Sequence, residues 1–164
     1  MELLRLLEER RIVSLQGGRI VFPEFSAIEF LSGGWLEEHV FDVVSSMSDT
    51  NSKMGIVVEW SQSGRKPTTN EYDVVFTHNN RLYLIECKTK RFVGRDQQGV
   101  NEDLIYKLES LRNSAGGLYG KGMLVSYRRL TDKQKKRLKT NRLEFCDREE
   151  LRDLKAKIGR WITS

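Results

Sequence analysis

The sequence predicts an α/β domain with a mixed five-stranded sheet that is flanked by helices, in the order αβββαβαβα. Three apolar segments, 54–60, 71–77 and 81–88, follow one another through polar links, which is typical of an antiparallel meander. Two later apolar segments, 120–126 and 142–146, each follow a helical pattern, so they can join the sheet in parallel. At 164 residues the chain is long enough for one domain with a substantial core.

A short extension precedes this domain. Residues 2–10 carry leucines on one side of a helical pattern, which predicts a short helix. Residues 11–22 then read as a hairpin whose turn is set by Gly17 and Gly18. We therefore treat residues 1–31 as an N-terminal helix and hairpin extension, similar to part of a winged-helix linker.

The main domain, residues 32–164, is predicted to begin with a helix over 35–47 and to carry a second helix over 102–113. Polar links at 61–70 and 91–101 contain glycine and other loop-forming residues. The helices and strands of this domain follow the order αβββαβαβα.

Two local signatures mark the start of the last two helices. Thr131 and Gln134 have the spacing of a capping box, in which each side chain bonds the backbone of the other residue. Asp147 and Glu150 show the same spacing and are predicted to cap a final helix that ends near Trp161.

Composition excludes some classes of protein. The chain has no run of 18 apolar residues, so we expect no membrane span and no membrane partner. Its two cysteines, Cys87 and Cys146, are far apart in sequence, which favours reduced thiols and a cytoplasmic location. The net charge of +5 and the pI near 9.3 permit a polyanionic partner such as nucleic acid.

Charged residues interrupt the strand RLYLIECK near its end. Side chains two positions apart share a face of a strand, so Leu82, Leu84, Glu86 and Lys88 lie on one face. If the preceding strand pairs with this one through the turn at 78–80, Asp73 falls at the same end of the sheet. Two carboxylates and a lysine can then converge there.

This cluster has two interpretations. Mg²⁺ prefers oxygen ligands and keeps several waters, so the carboxylates of Asp73 and Glu86 suffice to hold it. Lys88 could then orient or deprotonate a water molecule, or stabilise charge on a phosphate. Alternatively, Glu86 and Lys88 form an ordinary solvated ion pair at a strand end.

The helix over 35–47 supplies a further acid. Its apolar face includes Leu36, Val40 and Val44, and Glu37 lies at the edge of that face. Glu38 projects almost opposite, toward water. We therefore predict that Glu37, and not Glu38, reaches the end of the sheet.

The helix over 102–113 offers Lys107 and Arg112 as substrate-binding residues. Lys107 lies at the border of the core stripe that Leu104, Leu108 and Leu111 form. It either contacts a phosphate or extends along the edge of the core with its ammonium in water. These two interpretations of Lys107 remain open from the sequence.

Other motifs favour structural roles. The basic run at 133–139 could grip a nucleic-acid backbone, but such runs are more often a solvated helix face. His39, His78 and the two cysteines lack the close paired spacing of zinc ligands. No serine stands in a motif with histidine, which argues against a serine nucleophile.

An aspartate followed by Glu-x-Lys on the next strand of a meander, after a helix that carries glutamate, resembles the PD-(D/E)xK superfamily of restriction-endonuclease-like nucleases. Three segments, SGGWLEEHVFDVV, NEYDVVFTHNNRLYLIECKT and IYKLESLRNSAGGLYGKGMLVS, resemble more closely the nuclease domain of CARF-containing CRISPR ancillary effectors activated by cyclic oligoadenylate. The proline of the superfamily name is absent, since Tyr72 precedes Asp73. The chain also has no room for a sensor domain of about 100 residues or more.

The resemblance implies a restriction-endonuclease-like fold over residues 32–164 and a Mg²⁺- or Mn²⁺-dependent nuclease that acts on DNA, RNA or both. It also implies a homodimer with a role in CRISPR or other antiviral defence. Asp73 and Glu86 would bind the metal, while Lys88 and Glu37 would complete the catalytic site. Activation by cyclic oligoadenylate is not carried over, because the chain is either an isolated domain or a stand-alone nuclease.

Two other classes of protein remain open. One is a nucleic-acid-binding module with a degenerate nuclease site, although the intact Asp73, Glu86 and Lys88 argue against it. The other is a structural dimerisation domain. Metal-dependent cleavage would distinguish the nuclease from both, and affinity for nucleic acid would separate the remaining two.

Overall fold

The residues that the computed structural model describes are 2–60, 68–89, 102–116 and 119–164. The predicted link at 91–101 and most of the link at 61–70 lie outside these described residues. The chain divides into two compact units, Met1–Trp35 and Leu36–Ser164, and each is described by itself.

The first unit contains the predicted helix and hairpin. Helix α1 spans Glu2–Glu9, and strands β1 (Ser14–Gln16) and β2 (Arg19–Val21) pair antiparallel. The two glycines between the strands have φ angles of 55° and 75°, which glycine adopts at little energetic cost. These two predictions are confirmed.

A helical segment that the sequence analysis did not predict follows the hairpin. Helix α2 spans Phe25–Glu29, a π-helical turn spans Phe30–Gly34, and helix α3 spans Trp35–Ser45. We predicted a helix only from residue 35 because the two glycines before it read as an interruption. The backbone kinks at Gly33, where the φ and ψ angles are not helical.

The second unit is organised around the predicted meander. Strands β3 (Asn51–Trp60), β4 (Thr68–His78) and β5 (Arg81–Lys88) pair antiparallel in that order. A two-residue turn, Asn79-Asn80, joins β4 to β5, and both asparagines have positive φ angles, of 48° and 59°. Asparagine tolerates this conformation, which matches the twist of the strands on either side.

The remaining strands join the sheet in parallel, as the sequence predicts. Helix α4 (Glu102–Gly116) leads to β6 (Lys121–Ser126), and helix α5 (Asp132–Thr140) leads to β7 (Leu143–Cys146). The five-stranded sheet has the order β3-β4-β5-β6-β7. Strand β5 is therefore central, and its carboxyl end lies at the same edge as those of β6 and β7.

Both faces of the sheet are covered by helices. On one face, α4 and α5 pack over the strands through a cluster of buried side chains: Leu104, Ile105, Leu108, Leu124, Leu130, Leu138, Leu143 and Phe145. On the other face, Trp161 meets the stacked rings of Phe76 and Tyr83 edge-on, with 5.0 Å between the centroids of Trp161 and Tyr83. The buried leucines of α4 confirm the predicted core stripe of that helix.

The start of the last helix differs from the prediction. Helix α6 spans Leu154–Ile162 and follows a 3₁₀ turn, Leu151–Asp153, so Asp147 does not cap it. The prediction at Asp147 is wrong because its carboxylate has other partners. It accepts hydrogen bonds from the backbone N–H groups of Leu130 and Glu149 and pairs with Lys135 at 2.8 Å. The capping box at Thr131, by contrast, is confirmed.

Asp147 thus joins the segment after β6, the segment after β7 and helix α5. Its side chain is fully buried. Burial favours the neutral form, but the hydrogen bonds from Lys135 and the two backbone groups hold the pKa of Asp147 below its usual value. Among the described residues, no helix has the length and apolar character needed to cross a membrane.

Replacing Asp147 should therefore destabilise the fold. We expect Asp147→Ala to lower the free energy of unfolding by about 2 kcal/mol or more. The variant would leave two backbone N–H donors and the Lys135 ammonium without their partner. Asp153→Ala is the matched control. Asp153 starts α6 without a side-chain capping bond, so its loss should change stability by about 0.5 kcal/mol or less. Urea unfolding of both variants measures this, and equal effects would contradict the account.

Candidate active site

Asp73 and Glu86 face each other across two neighbouring strands. The β4–β5 ladder pairs Val75 with Leu84 and Val74 with Ile85, and the next position in this register brings Asp73 opposite Glu86. Directly opposite residues of an antiparallel pair point to the same face of the sheet. Glu86 is only 6% exposed, although it is a carboxylate.

The Asp73 side chain is held in place by a backbone group near the end of β5. The backbone N–H of Cys87 donates a 2.6 Å hydrogen bond to Asp73 Oδ2. The Asp73 side chain thus bonds to β5 just beyond the point where the backbone hydrogen bonds between β4 and β5 end. On the other side, the register leaves Gly55 opposite Asp73 without a ladder pair. Gly55 has a φ angle of 62°, which a residue with a side chain rarely adopts. The sheet is therefore irregular where Asp73 turns toward β5.

The burial of Glu86 has a large electrostatic effect. Burial, followed by the neighbouring Asp73 carboxylate, raises the pKa of Glu86 from its usual 4.5 to about 7. Lys107 and Lys88 oppose this rise in pKa. The ion pair between Lys107 Nζ and Glu86 Oε1 is long, at 3.9 Å, so it compensates the buried carboxylate only in part.

Asp73 shares this environment. Burial raises the pKa of Asp73, while the hydrogen bond from Cys87 and the charges of Lys107 and Lys88 act in the opposite direction. The same two lysines therefore influence both carboxylates. Lys107 lies beside Glu86 with its side chain partly exposed, and its contact with a phosphate stays a prediction.

Glu37 on α3 approaches the same end of the sheet. It is half-buried, whereas Glu38 is exposed. Burial raises the pKa of Glu37, and Asp73 and Glu71 are the next largest causes of the rise, while Lys88 lowers it. Glu37 is thus within electrostatic reach of the cluster, on the side of the helix that the sequence predicted.

Glu71 is a further carboxylate near the site that was not predicted as a site residue. This exposed side chain on β4 acts on the pKa values of both Glu37 and Asp73, and so adds a further carboxylate near the site. The signal was present in the sequence, because Glu71 and Asp73 are two residues apart on one strand.

Arg112 lies away from this cluster, at the opposite end of the sheet. Its guanidinium donates hydrogen bonds to the backbone carbonyls of Asn141 and Arg142, which immediately precede β7. Arg112 also lines a cavity of about 600 Å³ with other basic side chains. Since α4 and α5 both end in this region, cations here can compensate the carbonyl groups at the helix ends.

The donor set fits a hard divalent cation better than zinc. Among the described residues, no group of three or more His, Cys, Asp and Glu side chains has an arrangement that could hold a metal. Mg²⁺ and Mn²⁺ need fewer protein ligands, because water completes their coordination. The buried Glu86 carboxylate, whose one ion pair within the described part of the chain is long, and the opposing Asp73 could serve as such ligands.

Cys87 contributes its backbone but not a reactive thiol. The side chain is buried, and burial raises the pKa of the thiol well above 9, with Asp73, Glu37 and Glu86 adding to the effect. A neutral thiol is a poor nucleophile and a poor metal ligand. Cys87 is thus a free, buried cysteine.

The architecture, a mixed five-stranded sheet with helices on both faces and carboxylates at the end of its central strand, is the restriction-endonuclease-like nuclease fold. The chain belongs to the Card1-like endonuclease domain family, whose model matches residues 25–164. This confirms the resemblance found in the sequence. A comparison with curated proteins found no match.

Two solved structures are similar to almost the whole chain. Protein VC1899 from Vibrio cholerae is 35% identical, with a TM-score of 0.83, over 98% of this chain and 42% of its own. Can2 from Sulfobacillus thermosulfidooxidans, solved in complex with cyclic tetra-adenylate, is 31% identical, with a TM-score of 0.80, over 100% of this chain and 46% of its own. The chain thus spans less than half the length of either protein.

The raised pKa of Glu86 predicts a pH-dependent stability in the absence of metal. The folded state holds the Glu86 proton more tightly than the unfolded state, so stability falls as the pH rises from about 4.5 through 7. The loss should approach roughly 3 kcal/mol at high pH. Glutamine cannot ionise, so Glu86→Gln should lose less stability than the wild type between pH 5 and pH 8.

Thermal melting in EDTA at several pH values measures this difference. The exposed Glu38→Gln is the matched control and should keep the wild-type pH profile. Identical pH profiles for Glu86→Gln and the wild type would show that Glu86 is not a strained carboxylate.

Proposed function

We propose that the protein is a divalent-metal-dependent nuclease that hydrolyses phosphodiester bonds in DNA, RNA or both. The observation that carries this proposal is the buried Glu86 carboxylate, opposite Asp73 and within reach of two lysines. A fold retains such an arrangement at a cost in stability, so a function for it is the simplest explanation. Membership of the Card1-like endonuclease domain family supports the proposal.

Asp73 and Glu86 would hold Mg²⁺ or Mn²⁺. When bound, the metal supplies a Lewis acid that lowers the pKa of a water molecule and neutralises phosphate charge. The hydrogen bond from Cys87 to Asp73 Oδ2 orients that carboxylate before any ligand arrives. Pre-orientation of this kind lowers the reorganisation needed during the reaction.

The lysines and Glu37 would act on the water and the phosphate. Lys88 lies two residues beyond Glu86 on the same strand face, where its ammonium can orient the attacking water and stabilise charge on the phosphorus centre. Lys107 would move from its long contact with Glu86 to a phosphate oxygen. Glu37 would accept a hydrogen bond from water at the edge of the site.

The biological setting is part of the proposal. The sequence resembles nuclease domains of CRISPR ancillary effectors, and we infer a role in CRISPR or another form of defence. Can2 was solved with cyclic tetra-adenylate, but this chain spans less than half of Can2. Regulation by that ligand is therefore not proposed for this chain.

The direct test is incubation with labelled single-stranded and double-stranded DNA and RNA in Mg²⁺, Mn²⁺ or EDTA. We expect cleavage only with metal. Glu86→Gln and Lys88→Ala should each lower the rate by about 100-fold or more. Tight binding without cleavage in any metal would instead support a nucleic-acid-binding module with a degenerate site.

The two adjacent acids of α3 provide a matched pair of variants. Glu37→Ala should lose most metal-dependent cleavage, by about tenfold or more, because Glu37 lies near Asp73 and Lys88. Glu38→Ala should keep wild-type cleavage, since Glu38 is exposed. If Glu38→Ala lost activity and Glu37→Ala kept it, Glu38 and not Glu37 would belong to the site.

We also propose that the protein forms a homodimer. The first unit exposes many large apolar side chains, including Leu3, Phe25 and Ile20, of which Phe25 is 71% exposed. Exposed apolar side chains concentrated in one part of a chain are typical of an interface, and a two-fold interface buries the same surface on each copy. Sedimentation should show a dimer that Leu3→Glu weakens, and a monomer at high concentration would contradict the proposal.

A further inference from the structure

A tyrosine and an arginine follow β6 directly beside the candidate active site. Strand β6 pairs in parallel with β5, and its last residue, Ser126, is opposite Lys88. The carboxyl ends of neighbouring parallel strands meet at one edge of the sheet, so the next two residues, Tyr127 and Arg128, emerge next to Lys88.

Hydrogen bonds fix this pair against the end of β5. The backbone N–H of Tyr127 donates to the carbonyl of Lys88 at 2.9 Å. The backbone N–H of Arg128 donates to Ser126 Oγ at 3.1 Å, and Arg128 Nε donates to the carbonyl of Thr89 at 3.3 Å. Because the segment is already ordered, little conformational entropy would be lost when a ligand binds to it.

The two side chains combine chemistry that suits a polynucleotide. The Arg128 guanidinium lies 5.5 Å from the centre of the Tyr127 ring, and Tyr127 is 38% exposed. Aromatic rings bind nucleobases by stacking, and guanidinium groups bind phosphate through planar, forked hydrogen bonds. One segment thus offers a surface for a base and a cation for the backbone.

Positive charge continues beyond this pair. Arg129, Arg148 and Arg152 line a cavity of about 540 Å³ together with Glu149. Arg129 pairs with Glu149 at 3.3 Å, and the buried Asp147 holds the two segments in place through backbone hydrogen bonds to Leu130 and Glu149. A strand that leaves the site past Tyr127 would meet these cations next.

We propose that Tyr127 and Arg128 form a substrate subsite next to the scissile phosphate, in which Tyr127 stacks on an unpaired base and Arg128 contacts the adjacent backbone phosphate. The inference rests on the proposed nuclease function and names residues that bind its substrate. It places the bound strand over the carboxyl ends of β5 and β6.

The test measures affinity apart from cleavage. Fluorescence anisotropy with a labelled single-stranded oligonucleotide, carried out in the Glu86→Gln background without metal, reports binding alone. Tyr127→Ala should weaken binding by about tenfold, and Tyr127→Phe, which keeps the ring, should bind as the parent does. Tyr127→Leu keeps much of the bulk without the ring and should behave like Tyr127→Ala, so it replaces that variant if Tyr127→Ala does not fold.

Tyr119→Ala provides the matched control. Tyr119 is an exposed tyrosine that also lies among basic side chains, but it lines the cavity at the opposite end of the sheet. It should leave affinity unchanged. Equal affinities of Tyr127→Ala and the parent, or equal losses in Tyr127→Ala and Tyr119→Ala, would overturn the inference.

A series of oligonucleotides, each with one abasic position, separates stacking from a structural role. One abasic position should weaken binding to the parent by about as much as Tyr127→Ala does, and should weaken Tyr127→Ala no further. If every abasic position weakened binding of Tyr127→Ala as much as it weakens binding of the parent, the stacking role would be overturned. Arg128→Gln should reduce the salt dependence of binding, which reports a lost phosphate contact, and an unchanged salt dependence would overturn the phosphate role.

These experiments distinguish a failure of the Tyr127–Arg128 subsite from a failure of the nuclease proposal. If the wild type cleaves nucleic acid but Tyr127→Ala binds and cleaves equally well, only the subsite is wrong. If the wild type cleaves no substrate while the Tyr127 variants show the expected binding, the subsite stands and the nuclease proposal fails. If the parent binds no oligonucleotide, the subsite is overturned, and cleavage by the wild type with metal decides the nuclease proposal separately.

Discussion

The candidate site depends on the burial of one carboxylate, that of Glu86, in the central strand of the sheet. Strand β5 is buried along most of its length, so Glu86 is buried even though Lys88, two residues further on, is only half-buried. A buried charge is unfavourable unless cations compensate it, and the Asp73 carboxylate makes the site less favourable still. Lys88 and Lys107 supply part of the compensation, and a divalent cation would supply the rest.

The connections between the strands bring the Asp73 and Glu86 carboxylates together. The two-residue turn between β4 and β5 sets the register that brings Asp73 opposite Glu86. A shift of one residue would move Glu86 to the other face of the sheet. The parallel addition of β6 then brings Tyr127 and Arg128 to the same edge. A local turn and a long-range crossover therefore build one site.

Most of the site could be predicted from the sequence because it depends on short-range periodicity. The two-residue repeat of β5 placed Glu86 and Lys88 on one face, and the helical angle distinguished Glu37 from Glu38. Asp147 was misread because its spacing to Glu150 imitates a cap, whereas its partners lie on α5 and on the segment after β6. Arg112 was grouped with Lys107 because a linear pattern does not show that α4 runs from one end of the sheet to the other.

Anomalous diffraction from crystals soaked in Mn²⁺ can show whether Asp73 and Glu86 bind a divalent cation. We expect a peak within bonding distance, about 2 Å, of carboxylate oxygens from both residues, with Lys107 displaced from Glu86. The peak should be absent in crystals of Glu86→Gln that are soaked in the same way. A peak held by other residues, or no peak while Lys107 still pairs with Glu86, would contradict the account.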